Sequence, residues 1–357
     1  MKLNLLGNWE IKKTNSSSAW KKAGISVASV VLGLIFAGVF VLITGNNPFD
    51  LYNVILQGSV GTIYGFEQTL AETIPLALCS LGVALAFRMK LWNIGSEGQF
   101  YLGAFGGTYF ALFVPGLPKI ILLPVMALAG GIMGGLWALI PAIPKALWNV
   151  NETISTLLLN YVAYLLSAYL VFGPWKDPQG NNFPLTKHFS DSATIPAIGN
   201  TGVTYTIFVM LLIAIALYFM LKYSKWGYEI RVSGVSRKAA DYAGMNYVKN
   251  VLLVMFISGA ISGFAGIAEV SGVLHRLQQT ISPGYGYTAI IIALLARLNP
   301  FGIVLVSFLM GGLLVGGYSL QTSGFPSSMV SMFQGAILFF VLAGEIFNNY
   351  RLVRKKA

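Results

Sequence analysis

Polar side chains interrupt the apolar sequence at two places where their spacing could support recognition of a polar ligand. The motif NIGSEGQ places Asn93, Glu97 and Gln99 among glycines, directly before an apolar run. The motif NETISTLLLNY places Asn160 about two helical turns beyond Asn151, a residue type that can begin a helix. Amides and carboxylates of this kind form hydrogen bonds either with a ligand or with a neighbouring helix.

The sequence lacks the motifs from which common catalytic centres are assembled. It contains no GxxxxGK[ST] loop that could hold a nucleotide phosphate, no HExxH motif and no CxxC pair. His188 and His275 are its only histidines, so neither a metal site nor a histidine-based triad is expected. We therefore predict that the chain is not an enzyme and that it holds no metal ion or other cofactor.

Composition indicates a membrane protein. Of the 357 residues, 56% are hydrophobic and 10% are charged, whereas soluble domains carry roughly 25% charged residues. The formal net charge is +11. Because the basic residues lie in loops beside apolar runs rather than on a soluble face, we exclude nucleic acid as a partner and expect contact with membrane lipid. The single cysteine, Cys79, lies in an apolar run and is predicted to be a small core residue.

Ten apolar runs predict ten helices, several of them shorter than the roughly 20 residues that a straight transmembrane helix needs. They lie at about residues 23–43, 69–87, 97–114, 119–141, 153–173, 203–221, 251–273, 287–296, 301–319 and 329–347. If the N-terminus is cytoplasmic, 19 lysines and arginines fall in inside loops and 4 in outside loops. We therefore predict an all-α, polytopic membrane protein with about ten transmembrane helices and both termini in the cytoplasm.

This topology leaves two interpretations of NIGSEGQ open. Polar groups at membrane depth cost free energy unless they are paired or line a water-filled cavity, which would give Glu97 a functional role. Alternatively, the segment is a turn at the cytoplasmic surface, where Glu97 in the first turn of a helix interacts favourably with the helix dipole. For Asn160, a hydrogen bond between helices is the simpler interpretation.

Two segments in different halves of the chain share a pattern. ALAFR, which ends at Arg88, precedes LWNIG by two residues, and ALLAR, which ends at Arg297, directly precedes LNPFG. In transporters, short hydrophobic segments at corresponding places of two halves indicate a central pathway. In so apolar a sequence, the similarity can also arise by chance.

A polar segment of 28 residues, 222–249, separates two long apolar runs and carries six of the 23 lysines and arginines. We predict a cytoplasmic N-terminal tail at 1–22, a transmembrane domain at 23–347 that includes this central loop, and a basic cytoplasmic tail at 348–357. Within the loop, Ser236 can cap a short helix and Gly244 can end it.

The residues of this short helix predict how it contacts its surroundings. Val235 can pack on Ala240 as a hydrophobic staple. Their helical spacing places Ala239, Tyr242 and Ala243 on one face, and it places Arg237 and Asp241 on the other. A helix of about seven residues is too short to be stable alone in water, so it lies either on lipid headgroups or on a cytoplasmic partner.

Together these motifs resemble the permease subunits of nucleoside importers of the ATP-binding cassette (ABC) class, relatives of the ribose and branched-chain amino acid permeases. The resemblance covers about residues 66–320 and rests on NIGSEGQ, NETISTLLLNY, GPWKDP, RKAADYAGMN, AGIAEVSG and SPGYGYTAIIIALLARLNPFG. Two residues depart from the family pattern. Lys238 stands where an acidic residue is common, and Ala296 stands where a glycine usually precedes Arg-x-Asn-Pro.

The resemblance implies a multi-pass permease of the cell membrane that imports nucleosides together with three other components. These are a second, homologous permease, a cytoplasmic ATPase and an extracellular substrate-binding lipoprotein. It also implies that residues 234–246 contain the coupling helix, in which Ala239, Ala240 and Gly244 match the family pattern. The candidates for contact with the ATPase are Val235, Arg237, Ala239, Ala240, Tyr242 and Gly244.

A nucleoside has a flat base and a ribose, so its pathway needs aromatic faces and amide or hydroxyl partners rather than a charge pair. The candidates are Trp92, Asn93, Glu97, Gln99 and Asn160, provided that the segment before Phe100 re-enters the membrane. Two alternatives remain. One is a sugar-type ABC permease. The other is a secondary transporter driven by an ion gradient, with Glu97 or Glu269 as its ion site, which leaves the basic central loop without a role.

Overall fold

The computed structural model describes residues 9–13, 19–114, 116–180, 183–326 and 328–354, so parts of the two predicted tails lie outside the described residues. Within these ranges it contains thirteen α-helices. In chain order they are α1 (Ala19–Ile43), α2 (Pro48–Val60), α3 (Ile63–Arg88), α4 (Ser96–Phe113), α5 (Lys119–Trp148), α6 (Glu152–Phe172), α7 (Thr206–Tyr223), α8 (Lys225–Val235), α9 (Arg237–Tyr242), α10 (Tyr247–Glu269), α11 (Tyr285–Leu295), α12 (Pro300–Thr322) and α13 (Ser328–Asn349).

Six helices in the described part of the chain are long and apolar enough to cross a membrane. They are Ile63–Arg88, Lys119–Trp148, Glu152–Phe172, Thr206–Tyr223, Tyr247–Leu274 and Pro300–Thr322. Shorter apolar helices cover Val27–Ile43, Tyr285–Leu295 and Ser328–Gly344. The prediction of a polytopic helical membrane protein is therefore confirmed.

Several elements were not predicted from the sequence. Helix α2 carries polar side chains throughout, and α8 lies inside the charged central loop, so neither shows a continuous apolar run. Two five-residue strands, β1 (Trp9–Lys13) and β2 (Tyr350–Arg354), form an antiparallel pair. The predicted all-α class holds for the helices, and these two short strands were not predicted because their pairing joins opposite ends of the chain and no local pattern indicates it.

The chain divides into two compact units, residues 57–315 and residues 1–56 with 316–357. In the second of these, α1 packs along α13. A Cβ atom added at Gly33 would lie 2.9 Å from the Cα atom of Ile337, so the two backbones are in close contact. The hydroxyl group of Tyr52 in α2 donates a hydrogen bond to the carbonyl of Leu34, at 2.6 Å.

In the larger unit, α10 is the central helix and packs against α3, α4 and α5. Glycines form its contact with α5: a Cβ atom added at Gly134 would lie 2.7 Å from the Cα atom of Gly263. The hydrophobic effect does not hold helices together within a membrane, because lipid is as apolar as the side chains. Small residues instead allow the backbones to approach and gain van der Waals contact. Gly134 and Gly263 therefore bring α5 and α10 into backbone contact.

Two glycines of α5 allow this packing to be tested with a matched pair of substitutions. Gly134→Ala places a methyl group against the backbone of α10, so we expect the free energy of unfolding to fall by about 1 to 3 kcal/mol. At Gly131 the nearest atom to an added Cβ is the carbonyl oxygen of Ala260, at an ordinary 3.5 Å. Gly131→Ala should therefore cause no loss. Thermal unfolding of both variants in detergent is the measurement, and equal midpoints would contradict close packing at Gly134.

Candidate functional site

The connection between α3 and α4, residues 89–95, folds back into the larger unit; we call it the break. The Asn93 amide nitrogen donates a hydrogen bond to the hydroxyl oxygen of Ser258 in α10, at 2.9 Å. Ser258 lies about 16 Å along α10 from its first residue, close to half of the roughly 30 Å hydrocarbon thickness. The break therefore packs beside the middle of α10, which favours the interpretation at membrane depth over that of a surface turn.

Asn93 and Gln99 are fully buried and form a reciprocal pair of hydrogen bonds. The Asn93 nitrogen donates to the Gln99 side-chain oxygen at 3.1 Å, and the Gln99 nitrogen donates to the Asn93 oxygen at 2.9 Å. The Asn93 oxygen also accepts from the backbone N–H of Gly95, at 3.1 Å. The Ser258 hydroxyl in turn donates to the carbonyl of Gly82 in α3, at 2.7 Å. Both amides are thus engaged within the protein.

Glu97 is buried where α4 and α11 begin. It lies in the first turn of α4, and its carboxylate accepts a hydrogen bond from the backbone N–H of Gly286 in the first turn of α11, at 2.7 Å. A Cβ atom at Gly286 would lie 2.6 Å from the Cα atom of Glu97, so the two helix starts are in direct contact. A negative charge beside the positive ends of two helices is stabilised by both dipoles.

A row of side chains on α6 holds the break from the other side. Glu152 accepts a hydrogen bond from the backbone N–H of Trp92 at 3.2 Å, and Thr156 accepts one from Ile94 at 3.2 Å. The Asn160 oxygen accepts one from Gly98 at 2.9 Å. Because these side chains are four residues apart, they lie on one face of α6. The predicted hydrogen bonding of Asn160 between helices is confirmed.

Asn160 also joins α6 to α11. Its amide nitrogen donates to the backbone carbonyl of Ile94 at 2.9 Å and to the hydroxyl oxygen of Tyr287 at 3.2 Å. Tyr287 was not singled out from the sequence, since a tyrosine in an apolar run gives no signal of its own. Its side chain is 40% exposed, although it lies in the first turn of α11, beside the buried Asn160.

Three partly exposed aromatic side chains belong to the break, α6 and α11, and we call Trp92, Tyr161 and Tyr287 the aromatic edge. Trp92 is 45% exposed and its ring centroid lies 4.9 Å from that of Phe87. Tyr161 directly follows Asn160 in α6 and is 62% exposed. Among the five residues predicted to line a pathway, Trp92 therefore lies at this edge, whereas Asn93, Glu97, Gln99 and Asn160 are buried, and Asn160 reaches the edge through its hydrogen bond to Tyr287.

The central loop contains the predicted short helix, α9. The Ser236 hydroxyl accepts a hydrogen bond from the backbone N–H of Ala239 at 3.3 Å, and Gly244 adopts a φ of 73° beyond the last turn, so the predicted cap and helix end are confirmed. The predicted staple is wrong, because Val235 is 76% exposed and makes little contact with the fully buried Ala240.

The exposed side of α9 carries Ala239 and Tyr242, of which Tyr242 is 96% exposed. The Arg237 guanidinium lies 3.8 Å from the Asp241 carboxylate, and 4.8 Å from the centroid of the Tyr247 ring. On the preceding helix α8, Gly234 meets the break directly: an added Cβ atom would lie 2.9 Å from the Cα atom of Met89. The loop thus combines an exposed helix with a backbone contact to the break.

Glu269, the other candidate for an ion site, is buried near the end of α10 beside Ala71 and Thr204. In the described ranges, no group of three or more His, Cys, Asp or Glu side chains is placed to hold a metal ion. Among the described residues, neither Glu97 nor Glu269 therefore belongs to a group that could hold a metal ion.

Comparisons with known proteins match this chain to permeases. A family model described as "Branched-chain amino acid transport system / permease component" matches residues 65–342. The chain is 36% identical to a glucose ABC transporter permease protein of Haloferax volcanii over 346 residues, which cover 94% of this chain and 90% of that protein. It is 32% identical to a guanosine ABC transporter permease protein of Bacillus subtilis over 323 residues, which cover 89% and 92%.

A third relative carries a broader substrate name. A nucleoside ABC transporter permease protein of Lactococcus lactis subsp. cremoris is 28% identical over 330 residues, which cover 90% of this chain and 91% of that protein. The matched regions include the break, α6, α11 and the central loop. The predicted resemblance is therefore confirmed, and with it the multi-pass location in the cell membrane and the role of a transport component rather than an enzyme. The chain belongs to the family of branched-chain amino acid transport system permease components and is an ABC transporter permease.

Proposed function

We propose that this chain imports nucleosides as one permease subunit of an ABC importer, and that the aromatic edge forms its share of the substrate pathway. The observation that carries the proposal is the hydrogen bond from the buried Asn160 amide to the hydroxyl group of Tyr287, whose side chain is partly exposed. Helix α11 has 11 residues and is about 16 Å long, so Tyr287 at its start lies near mid-membrane depth. Polar groups at that depth face a protein interior or a water-filled path rather than lipid.

The chemistry of the edge favours a nucleoside over a sugar. Three aromatic rings offer flat faces on which a base can stack. Few polar atoms remain for a ligand, because the Asn160 amide already forms three hydrogen bonds within the chain. Glucose carries hydroxyl groups all round and would need more partners than this edge offers. A sugar-type permease is the second candidate, favoured by the relative that is named for glucose.

The proposed assembly follows the ABC class. We infer that about ten helices span the membrane with both termini in the cytoplasm, as the distribution of basic residues indicates. The partners are a second, homologous permease that faces the aromatic edge, a cytoplasmic ATPase and an extracellular substrate-binding lipoprotein. We also propose cytoplasmic tails at 1–22 and 348–357 on either side of the transmembrane domain.

Of the predicted pathway residues, we assign Trp92 to the substrate path directly, and Asn160 through the hydrogen bond by which it holds Tyr287. Asn93, Gln99 and Glu97 position the path from behind, since their polar atoms bond to the break and to the helices around it. In the central loop, Ala239 and Tyr242 are the contacts proposed for the ATPase. Val235, Arg237, Ala240 and Gly244 support the geometry of α9, and Val235 adds an exposed apolar group beside it.

The complete transporter in proteoliposomes tests the energy source and the substrate. Uptake of labelled guanosine should require ATP and should continue when ionophores collapse the proton and sodium gradients, because ATP hydrolysis drives transport. Excess unlabelled glucose should not compete. Uptake that is independent of ATP and lost with the gradients would instead indicate a secondary transporter, and competition by glucose as strong as by guanosine would indicate a sugar permease.

Two tryptophan variants in the same vesicles test the pathway. Trp92→Leu removes a ring on which a base can stack, at a cost of about 1 to 3 kcal/mol. Nucleoside-stimulated ATP hydrolysis should therefore need a roughly five- to hundredfold higher nucleoside concentration. Trp148→Leu, at the 71% exposed end of α5, is the matched control and should leave the response unchanged. An equal response in both variants would remove Trp92 from the path.

The reciprocal amide pair makes a prediction about stability. Gln99→Leu leaves buried groups of Asn93 without a partner and should lower the free energy of unfolding by about 1 to 3 kcal/mol. In the double variant Asn93→Leu/Gln99→Leu, the loss should be smaller than the sum of the single losses, because the two side chains bond each other. Gln179→Leu in an exposed loop is the control. A stable Gln99→Leu variant that has lost substrate stimulation would instead make Gln99 a pathway contact.

Cross-linking tests the docking of α9 on the ATPase. Ala239→Cys and Tyr242→Cys should cross-link to the ATPase in the assembled complex, whereas Ala240→Cys, which is fully buried, should not. Gly244→Pro should abolish transport without removing the protein from the membrane. Proline cannot adopt the φ of 73°, and it lacks the N–H that donates to the carbonyl of Asp241 at 3.1 Å. Normal transport without any cross-link in the Ala239→Cys variant would refute this contact.

A further inference from the structure

A cavity of about 170 Å³ opens between the ends of α3 and α7, the middle of α8 and the start of α12. Three cationic side chains line it: Arg88, Lys222 and Arg231. The other lining residues are Tyr218, Leu221, Asn299 and Pro300, so the lining contains no carboxylate. A volume of this size exceeds by an order of magnitude the roughly 10 to 15 Å³ that a single water needs.

Neutral groups orient the three cations without neutralising them. The Arg88 guanidinium donates to the carbonyl of Leu298 at 2.9 Å, and its Nε atom is buried without a hydrogen-bond partner. Arg231 donates to the carbonyl of Leu221. The Lys222 ammonium donates to the Tyr218 hydroxyl at 2.9 Å. Among the described residues, none of the three cations forms an ion pair, so the cavity lacks a counter-charge.

The start of α12 adds to the positive potential of the cavity. Asn299 caps this helix, because its side-chain oxygen accepts a hydrogen bond from the backbone N–H of Phe301 at 3.0 Å. Helix α12 has 23 residues, and the partial positive charge at such a helix start favours a nearby anion. Two arginines, a lysine and a helix start are the groups that proteins use to bind phosphate.

The surface beside the cavity is apolar. Four large side chains on α7 and α12 are at least half exposed: Phe219, Tyr223, Phe301 and Leu305. The rings of Tyr218 and Phe301 are in contact, with centroids 4.9 Å apart, at the mouth of the cavity. A ligand with a phosphate group and apolar chains could therefore place its charge in the cavity and its chains along α7 and α12.

We propose that this cavity binds the phosphate of an anionic membrane phospholipid. Basic pockets between the ends of membrane helices suit such headgroups, and anionic lipids are enriched in the cytoplasmic leaflet that our topology assigns to this end. Arg88 ends α3 and leads into the break, and Arg231 lies on α8, which leads into α9. One bound headgroup thus joins the two segments proposed for the substrate path and for the ATPase contact.

Lipid retention by the assembled transporter in mild detergent tests the site. Native mass spectrometry should show phosphatidylglycerol retained on this chain in preference to phosphatidylcholine. Arg231→Gln and Lys222→Gln should each weaken the retention of phosphatidylglycerol about fivefold, the effect of one basic residue at an anionic surface. Lys225→Gln and Lys249→Gln are the controls, since they remove the same charge from a neighbouring cavity that also contains Glu229. The controls should change retention little.

A second measurement separates lipid from free phosphate. If the ligand is a headgroup, phosphatidylglycerol should raise the unfolding temperature of wild type more than that of Arg231→Gln, and inorganic phosphate should not. A rise with inorganic phosphate alone would overturn the assignment to lipid and make the cavity a site for soluble phosphate. Equal retention of the two lipids by wild type, or equal losses in the Arg231→Gln and Lys225→Gln variants, would overturn the site itself.

Discussion

The arrangement of the larger unit depends on how it satisfies the backbone N–H groups of two helices that begin inside the protein. The first turn of any helix leaves N–H groups without partners, and at membrane depth water is not there to accept their hydrogen bonds. Helices α4 and α11 both begin inside the larger unit and touch each other. The Glu97 carboxylate and the Asn160 amide oxygen accept from Gly286 and Gly98, one at each helix start.

The same requirement explains why structural and functional residues lie together. Asn160 completes the start of α4 with its oxygen and reaches Tyr287 with its nitrogen, so one side chain serves both the scaffold and the aromatic edge. Behind it, Asn93 and Gln99 fix the break against α10. A surface held by so many satisfied hydrogen bonds keeps its geometry without help from a ligand.

The sequence predicted those features that are encoded locally. A serine before a short helix and a glycine after it indicated the cap and the end of α9, and apolar runs indicated most of the membrane helices. The polar motifs drew attention to the break, but hydropathy does not report depth. Nor does an amide reveal its partner: Gln99 bonds Asn93, and Arg88 bonds the carbonyl of Leu298, which lies 210 residues away. Tyr287 gave no signal, because its role arises only where α11 meets α6.

The contact between Gly234 and Met89 has a mechanical consequence. A side chain at an interface can change rotamer and absorb a small movement, but a backbone that rests on another backbone has no such freedom. Since α8 continues into α9, a force applied to α9 from outside the membrane would reach the break through main-chain atoms only. The glycine therefore forms a rigid contact between the proposed docking segment and the break, and any larger residue there would push the two apart.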